Sequence, residues 1–111
     1  MNIEELREYC ISKPHTTEGL PFDDVSLVFK VKGKIFAILS LDGPPRINLK
    51  CDPLRAIELR EEYSCVIPGY HMNKKHWNTV NIDGSVQAGL IKEWVDHSYE
   101  LILASLPKSK R

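Results

Sequence analysis

The stretch 25–51 constrains this chain most, because its apolar residues recur at every second position. Val25, Leu27, Phe29 and Val31 alternate with Ser26, Val28, Lys30 and Lys32. A period of two marks a strand with one buried face. Lys32-Gly33 then has the chemistry of a two-residue turn, Gly33 supplying positive φ. The resulting antiparallel hairpin sets Phe29 opposite Phe36 and Leu27 opposite Ile38, with both aromatics on one face and Lys30, Val28 and Ala37 on the other. Gly43-Pro44-Pro45 breaks the chain, and a third strand is expected over 46–51. There Ile47, Leu49 and Cys51 point one way and Arg46, Asn48 and Lys50 the other. With the apolar side in the core, the opposite face of the sheet collects Lys30, Arg46, Asn48 and Lys50.

Helices flank this sheet. Asn2 and Glu5 have the spacing of a capping pair, and Ile3, Leu6, Tyr9 and Cys10 follow on one helical face. Pro14 limits that helix, since the residue before a proline is driven out of helical geometry. Asp52-Pro53 is a second helix start, a cap followed by a proline suited to the first turn. Leu54, Ile57 and Leu59 are its expected contacts, and it must end before Pro68. Short strands are expected over 65–67 and 77–82. Asp83-Gly84 makes a turn and Ser85 caps a last helix, in which Val86, Leu90, Ile91, Trp94, Val95, Ile102 and Leu106 recur at spacings near three and four. Pro107 ends it. The fold class that follows is α+β, an antiparallel sheet with the N- and C-terminal helices packed on one face. At 111 residues the chain is expected to be a single domain, 1–111, able to bury a core without disulfides or metal.

Fifteen basic residues balance fifteen acidic ones, but unevenly along the chain. Residues 1–24 carry two cations against six acids, a balance of −4, and residues 30–50 five cations against one acid, a balance of +4. Lys108, Lys110 and Arg111 add a basic tail. Such asymmetry marks a surface suited to an acidic partner. No apolar run approaches a membrane span, and the acidic, amphipathic start is unlike a signal peptide. Three cysteines, Cys10, Cys51 and Cys65, without CxxC spacing argue against a disulfide framework and read as small core residues. A cytoplasmic location is therefore expected, with no membrane partner.

The segment 68–79 concentrates Tyr70, His71, Asn73, Lys74, Lys75, His76, Trp77 and Asn78. Five residues apart, His71 and His76 fall on opposite faces of a strand and about 140° apart on a helix, and no Cys or carboxylate lies among them, which argues against metal. The chain has no nucleophile elbow, phosphate-binding glycine loop or HExxH, so catalytic residues and a cofactor are not expected. Nucleic-acid contact suits the composition better. Lys74 and Lys75 can neutralise phosphates, His71, Asn73 and Asn78 can hydrogen-bond, and Trp77 can stack on a base, unless it anchors the segment to the core.

These residues, in order, resemble the MmcQ/YjbR family. Pro21-Phe22 follows a glycine-containing turn. Val28-Phe29-Lys30-Val31 and Gly33-Lys34-Ile35-Phe36-Ala37 form the hairpin. Asn48-Leu49-Lys50-Cys51 with Pro53 leads the middle helix, the 68–79 block precedes Asp83-Gly84, and Ser98-Tyr99 lies in the last helix. The resemblance spans nearly the whole chain. It implies a frataxin-like (CyaY-like, double-wing type) architecture and a non-catalytic, regulatory DNA-binding role. Likeness of fold alone does not fix function. Frataxin-like iron handling would need more acids on the first helix than Glu4, Glu5 and Glu8.

Two functions follow. A module for double-stranded DNA would use Lys30, Arg46, Asn48 and Lys50 on one exposed sheet face, with His71, Asn73, Lys74, Lys75, His76 and Trp77 beside them. A module for a protein or small ligand would instead draw His71, Asn73 and Trp77 into a concavity.

Overall fold

In a computed structural model of the chain, residues 1–69 and 72–110 are described. The order is α1 (Ile3–Ser12), β1 (Thr16–Gly19), β2 (Ser26–Val31), β3 (Lys34–Ser40), β4 (Arg46–Lys50), α2 (Pro53–Glu62), β5 (Val66–Pro68), β6 (Trp77–Asn81) and α3 (Ala88–Ser105), followed by a short 3-10 turn. Among the described residues, six strands form one antiparallel sheet in the order β1-β2-β3-β4-β6-β5. The fold is α+β.

The β2–β3 turn is built as its sequence demands. Lys32 and Gly33 both take left-handed backbone, with φ of 48° and 87°, the geometry of a primed hairpin turn. The register differs from strict alternation. Phe29 faces Ala37, not Phe36, and Leu27 faces Leu39, not Ile38. The cause is a bulge: Phe29-Lys30 lies opposite Ile35-Phe36-Ala37, one residue longer on β3. Adjacent residues at a bulge can share a face, and both Phe36 and Ala37 are buried in the core. Ala37 therefore does not stand beside Lys30. Phe36 still meets Phe29, with ring centroids 6.4 Å apart. The β4 alternation holds, with Ile47, Leu49 and Cys51 buried while Arg46, Asn48 and Lys50 turn away. β1 has no counterpart in the sequence expectations. It is an edge strand paired to β2, and Thr16-Thr17-Glu18-Gly19 offers no apolar alternation to reveal it.

α1 and α3 cover the apolar face. Asn2 Oδ1 accepts from the Glu5 N–H at 2.8 Å, and α1 sinks Leu6 and Cys10 against the sheet. α3 lies across β2, β3 and β4 and buries Ile91, Trp94, Val95, Ser98, Tyr99 and Ile102. It starts at Ala88, later than a Ser85 cap implies. Ser85 instead closes the preceding turn, donating its N–H and its hydroxyl to Asp83 Oδ1. α2 begins as expected, with Asp52 accepting from the Arg55 N–H at 3.2 Å. It leans on Ala56 and Leu59, while Leu54 and Ile57 stand outward at 73% and 49% exposure. The helix docks at the β5 edge, where small Ala56 permits close approach and only a narrow stripe is covered. All three cysteines are buried free thiols, and burial pushes the Cys10 thiol up to about 12, which suits packing and not nucleophilic attack.

Candidate nucleic-acid interface

With the helices on one side, the other side of the sheet carries a set of polar and basic side chains. Register sets the rows. Lys30 faces Ile35, Ile38 faces Asn48, and Asn48 in turn faces Thr79. Lys50 faces Trp77, and Ser40 faces Arg46. Directly paired residues share a face, so Lys30, Arg46, Asn48, Lys50 and Trp77 all belong to this open surface. Strand geometry spaces Lys30 and Lys50 about 10 Å apart across two strands, and Arg46 about 13 Å from Lys50 along β4. Among the described residues, Lys30 and Lys50 have no ionic partner and Arg46 makes only a long bond to the Pro44 carbonyl.

Two concavities open on this face. One, of about 470 Å³, lies between the sheet and the 20–25 segment and is lined by Phe22, Asp23, Ile35, Ile38, Arg46, Asn48 and Met72, with Ser26 and Ser40. The other, of about 450 Å³, is shallower and is lined by Lys30, Ile35, Lys50, Met72 and Trp77 among others. Ile35 and Met72 border both. Asn48 is oriented by its neighbour: Thr79 donates its hydroxyl to Asn48 Oδ1, which leaves the amide nitrogen for the groove.

The 68–79 segment contributes less directly. Trp77 is half-buried on the open face and is not part of the core cluster. Gly69 lies close against it, where an added Cβ would crowd the Trp77 carbonyl oxygen at 3.0 Å and its Cβ at 3.1 Å. Asn73 spends its side-chain carbonyl on the Lys75 N–H at 2.9 Å and its backbone carbonyl on the His76 and Trp77 N–H groups. It builds a turn and lines neither concavity. His76 is half-buried, and its carbonyl accepts from the Cys51 N–H at 2.7 Å. Lys74 and Lys75 are exposed on the turn, outside both concavities. Tyr70 and His71 lie outside the described residues. Arg60 of α2 holds this turn, donating to Asn78 Oδ1 at 2.6 Å and to the Lys74 and Trp77 carbonyls.

The sheet thus gathers Lys30, Arg46, Asn48, Lys50 and Trp77, while Asn73, Lys74, Lys75 and His76 form a separate rim. Phe22, Ile35, Ile38 and Met72 are not among the contact residues expected from the sequence. Ile35 falls on the lysine face in the expected alternation, but Ile38 was set with Leu27 and Phe36 on the core face, and the bulge in β3 turns it to the open face instead, opposite Val28 and Asn48. Among the described residues, no group of three His, Cys, Asp or Glu is placed to hold a metal, and no helix is long and apolar enough to cross a membrane.

Known proteins share this architecture and sequence. The crystal structure of Deinococcus radiodurans protein DR2400, a DUF419 domain, is similar with a TM-score of 0.93 and 42% identity, covering 99% of this chain and 85% of that one. The uncharacterized protein YjbR of Escherichia coli K12 is 38% identical over 112 residues, covering 100% of this chain and 95% of its own. The uncharacterized protein YbdF of Escherichia coli O157:H7 is 36% identical, over 95% of this chain and 87% of its own. The sequence model described as YjbR matches residues 11–101, and with that match, through the hairpin, β4, the 68–79 block and most of α3, the chain belongs to the YjbR family.

Proposed function

We propose that this chain is a non-catalytic DNA-binding module that uses the open face of its sheet. The observation that carries the proposal is the grouping of Lys30, Arg46 and Lys50 on one surface, without ionic partners among the described residues. Phosphate contact needs unneutralised cations on one surface, and Asn48 and Trp77 add a hydrogen-bonding group and a stacking ring beside them. The rival arrangement, a pocket formed by His71, Asn73 and Trp77, gains no support from Asn73, whose carbonyl groups are committed to the turn.

Binding of this kind is weak and electrostatic. Three cations on phosphates give a slope of log K against log salt of about −3 on duplex, a loss of about 40-fold between about 50 and about 200 mM salt. Fluorescence anisotropy with labelled DNA, single-stranded and duplex, tests this directly. The Lys30→Ala, Lys50→Ala double variant is expected to flatten the slope to about −1. No binding of either form at low salt, or binding that the double variant leaves unchanged, overturns the proposal.

A further inference from the structure

We infer that the groove beneath the 20–25 segment seats one unpaired nucleobase, so that the open face takes single-stranded nucleic acid in preference to duplex; this rests on the function proposed above. The groove measures about 470 Å³, within the range of small-ligand sites and ample for one base. Ile35 and Ile38 form an apolar floor, and Phe22 and Met72 form apolar walls. Phe22 is 66% exposed, a large aromatic left out of the core on a segment that is nevertheless fixed. Asp23 holds that segment, accepting from the Val25 N–H at 2.9 Å and the Ser26 N–H at 2.7 Å. Phe22, next to this turn, borders the groove together with the apolar Ile35, Ile38 and Met72. That is how single-strand binders build a stacking platform.

Charge decides which part of a nucleotide enters. Those same hydrogen bonds hold the Asp23 carboxyl below the usual carboxylate range, and Arg46 lines the same groove, so the groove carries one charge of each sign and draws phosphate less than the unopposed Lys30 and Lys50 do. Lys30 and Lys50 stand outside the groove, along the neighbouring concavity, where a backbone can follow them. The groove's own polar groups are suited to a base edge, with acceptors on Asp23 and donors on Asn48 and Arg46. In a duplex both faces of each base are stacked and its pairing edge is occupied, so only an unpaired base can fill the site.

The test is anisotropy at low salt with a labelled oligothymidylate and a duplex of the same length, on wild type, Phe22→Ala and Phe22→Tyr. Wild type is expected to hold the single strand about 10-fold or more tighter than the duplex. Phe22→Ala is expected to weaken the single strand about 5- to 100-fold and leave the duplex unchanged, with Phe22→Tyr close to wild type. Phe22 is exposed, so neither variant threatens folding, and circular dichroism verifies that. Equal affinity for both forms, or an equal loss on both from Phe22→Ala, overturns the base seat. Single-strand binding that depends on Lys30 and Lys50 but is unchanged by Phe22→Ala overturns the seat while leaving the proposed function standing. If neither oligonucleotide binds, both fall.

Discussion

Ser98, in the middle of α3, accepts the backbone N–H of Lys50 at 2.9 Å and donates its hydroxyl to the Phe36 carbonyl at 2.6 Å. The β3–β4 ladder is regular up to the Ala37–Leu49 pair. Beyond it the β3 bulge carries Phe36 away from Lys50, and the fully buried Ser98 hydroxyl fills the gap as a one-atom bridge. One core helix residue therefore both closes the sheet and fixes the end of β4 that displays Lys50. In Ser98→Ala, a carbonyl and an N–H lose their partner together. The expected cost is about 2–4 kcal/mol, since each buried group left unsatisfied costs about 1–3 kcal/mol. Urea unfolding measures the loss, and native-state hydrogen exchange should show the Lys50 amide exposed more than its β4 neighbours. An unchanged urea midpoint would remove Ser98 as the bridge.

Arg60 performs a similar service for the 72–77 turn. Its fork reaches Asn78 Oδ1 and the carbonyls of Lys74 and Trp77, and Asn78 in turn donates to the Ala56 carbonyl at 3.4 Å. Arg60→Ala is expected to cost about 1–3 kcal/mol and to speed amide exchange across 72–77. Arg60→Lys should not restore protection, because an ammonium lacks the planar fork that spans several acceptors. Full rescue by lysine would mean that charge, and not geometry, holds the turn.

The parts of this molecule legible in its sequence are those governed by local chemistry. The Lys32-Gly33 turn, the Asn2 and Asp52 caps and the β4 alternation each depend on a few adjacent residues. The failures are non-local. A period-two pattern cannot reveal one extra residue in β3, so the pairing of Phe29 shifted by a position while both phenylalanines still reached the core. β1 is held by backbone pairing to β2, and backbone pairing leaves no mark on side-chain pattern. Leu54 and Ile57 looked like core because helix periodicity gives a stripe but not the width of surface that covers it. The open face was readable from Arg46, Asn48 and Lys50. The groove was not, because it exists only where Phe22 and Asp23, from the loop before β2, come together with side chains of β3 and β4.

A polar clamp between α1 and α3 gives a further prediction. Tyr9 donates to Asp96 Oδ1 at 2.5 Å, and Lys13 reaches the same oxygen at 2.6 Å. Lys13 Nζ also stands 5.6 Å from the Tyr9 ring centroid and 5.1 Å from that of Tyr99. Burial and the Asp96 carboxylate push the Tyr9 phenol up to about 12. Asp96→Ala strands both donors at once. Because the Asp96 side chain is 42% exposed, water recovers part of the loss, and the expected cost is about 1–2 kcal/mol. Tyr9→Phe should cost less, since Lys13 then keeps Asp96. Urea unfolding of the two single variants and the double variant measures the coupling, and strict additivity would mean that the Tyr9 hydroxyl draws no stability from Asp96.

His97 makes stability depend on pH. Its Nε2 accepts the backbone N–H of Asp52 at 3.2 Å, at the cap of α2, so the ring must be neutral at that nitrogen. Burial first, and the nearby Arg55 guanidinium second, lower its pKa from the ordinary 6.5, while Asp52 opposes them. A lowered folded-state pKa means that the unfolded chain binds the proton more readily. Stability from this group is therefore fully present above about 6.5 and is lost as pH falls through the lower folded value. Protonation would also turn the acceptor into a donor facing a donor, loosening the start of α2. Urea midpoints between pH 7 and pH 5 should fall more for wild type than for His97→Gln, which keeps an acceptor without titrating, and Asp52 amide exchange should rise over the same interval in wild type alone. Equal acid sensitivity in the two proteins would assign the effect to the carboxylates and remove His97 from it.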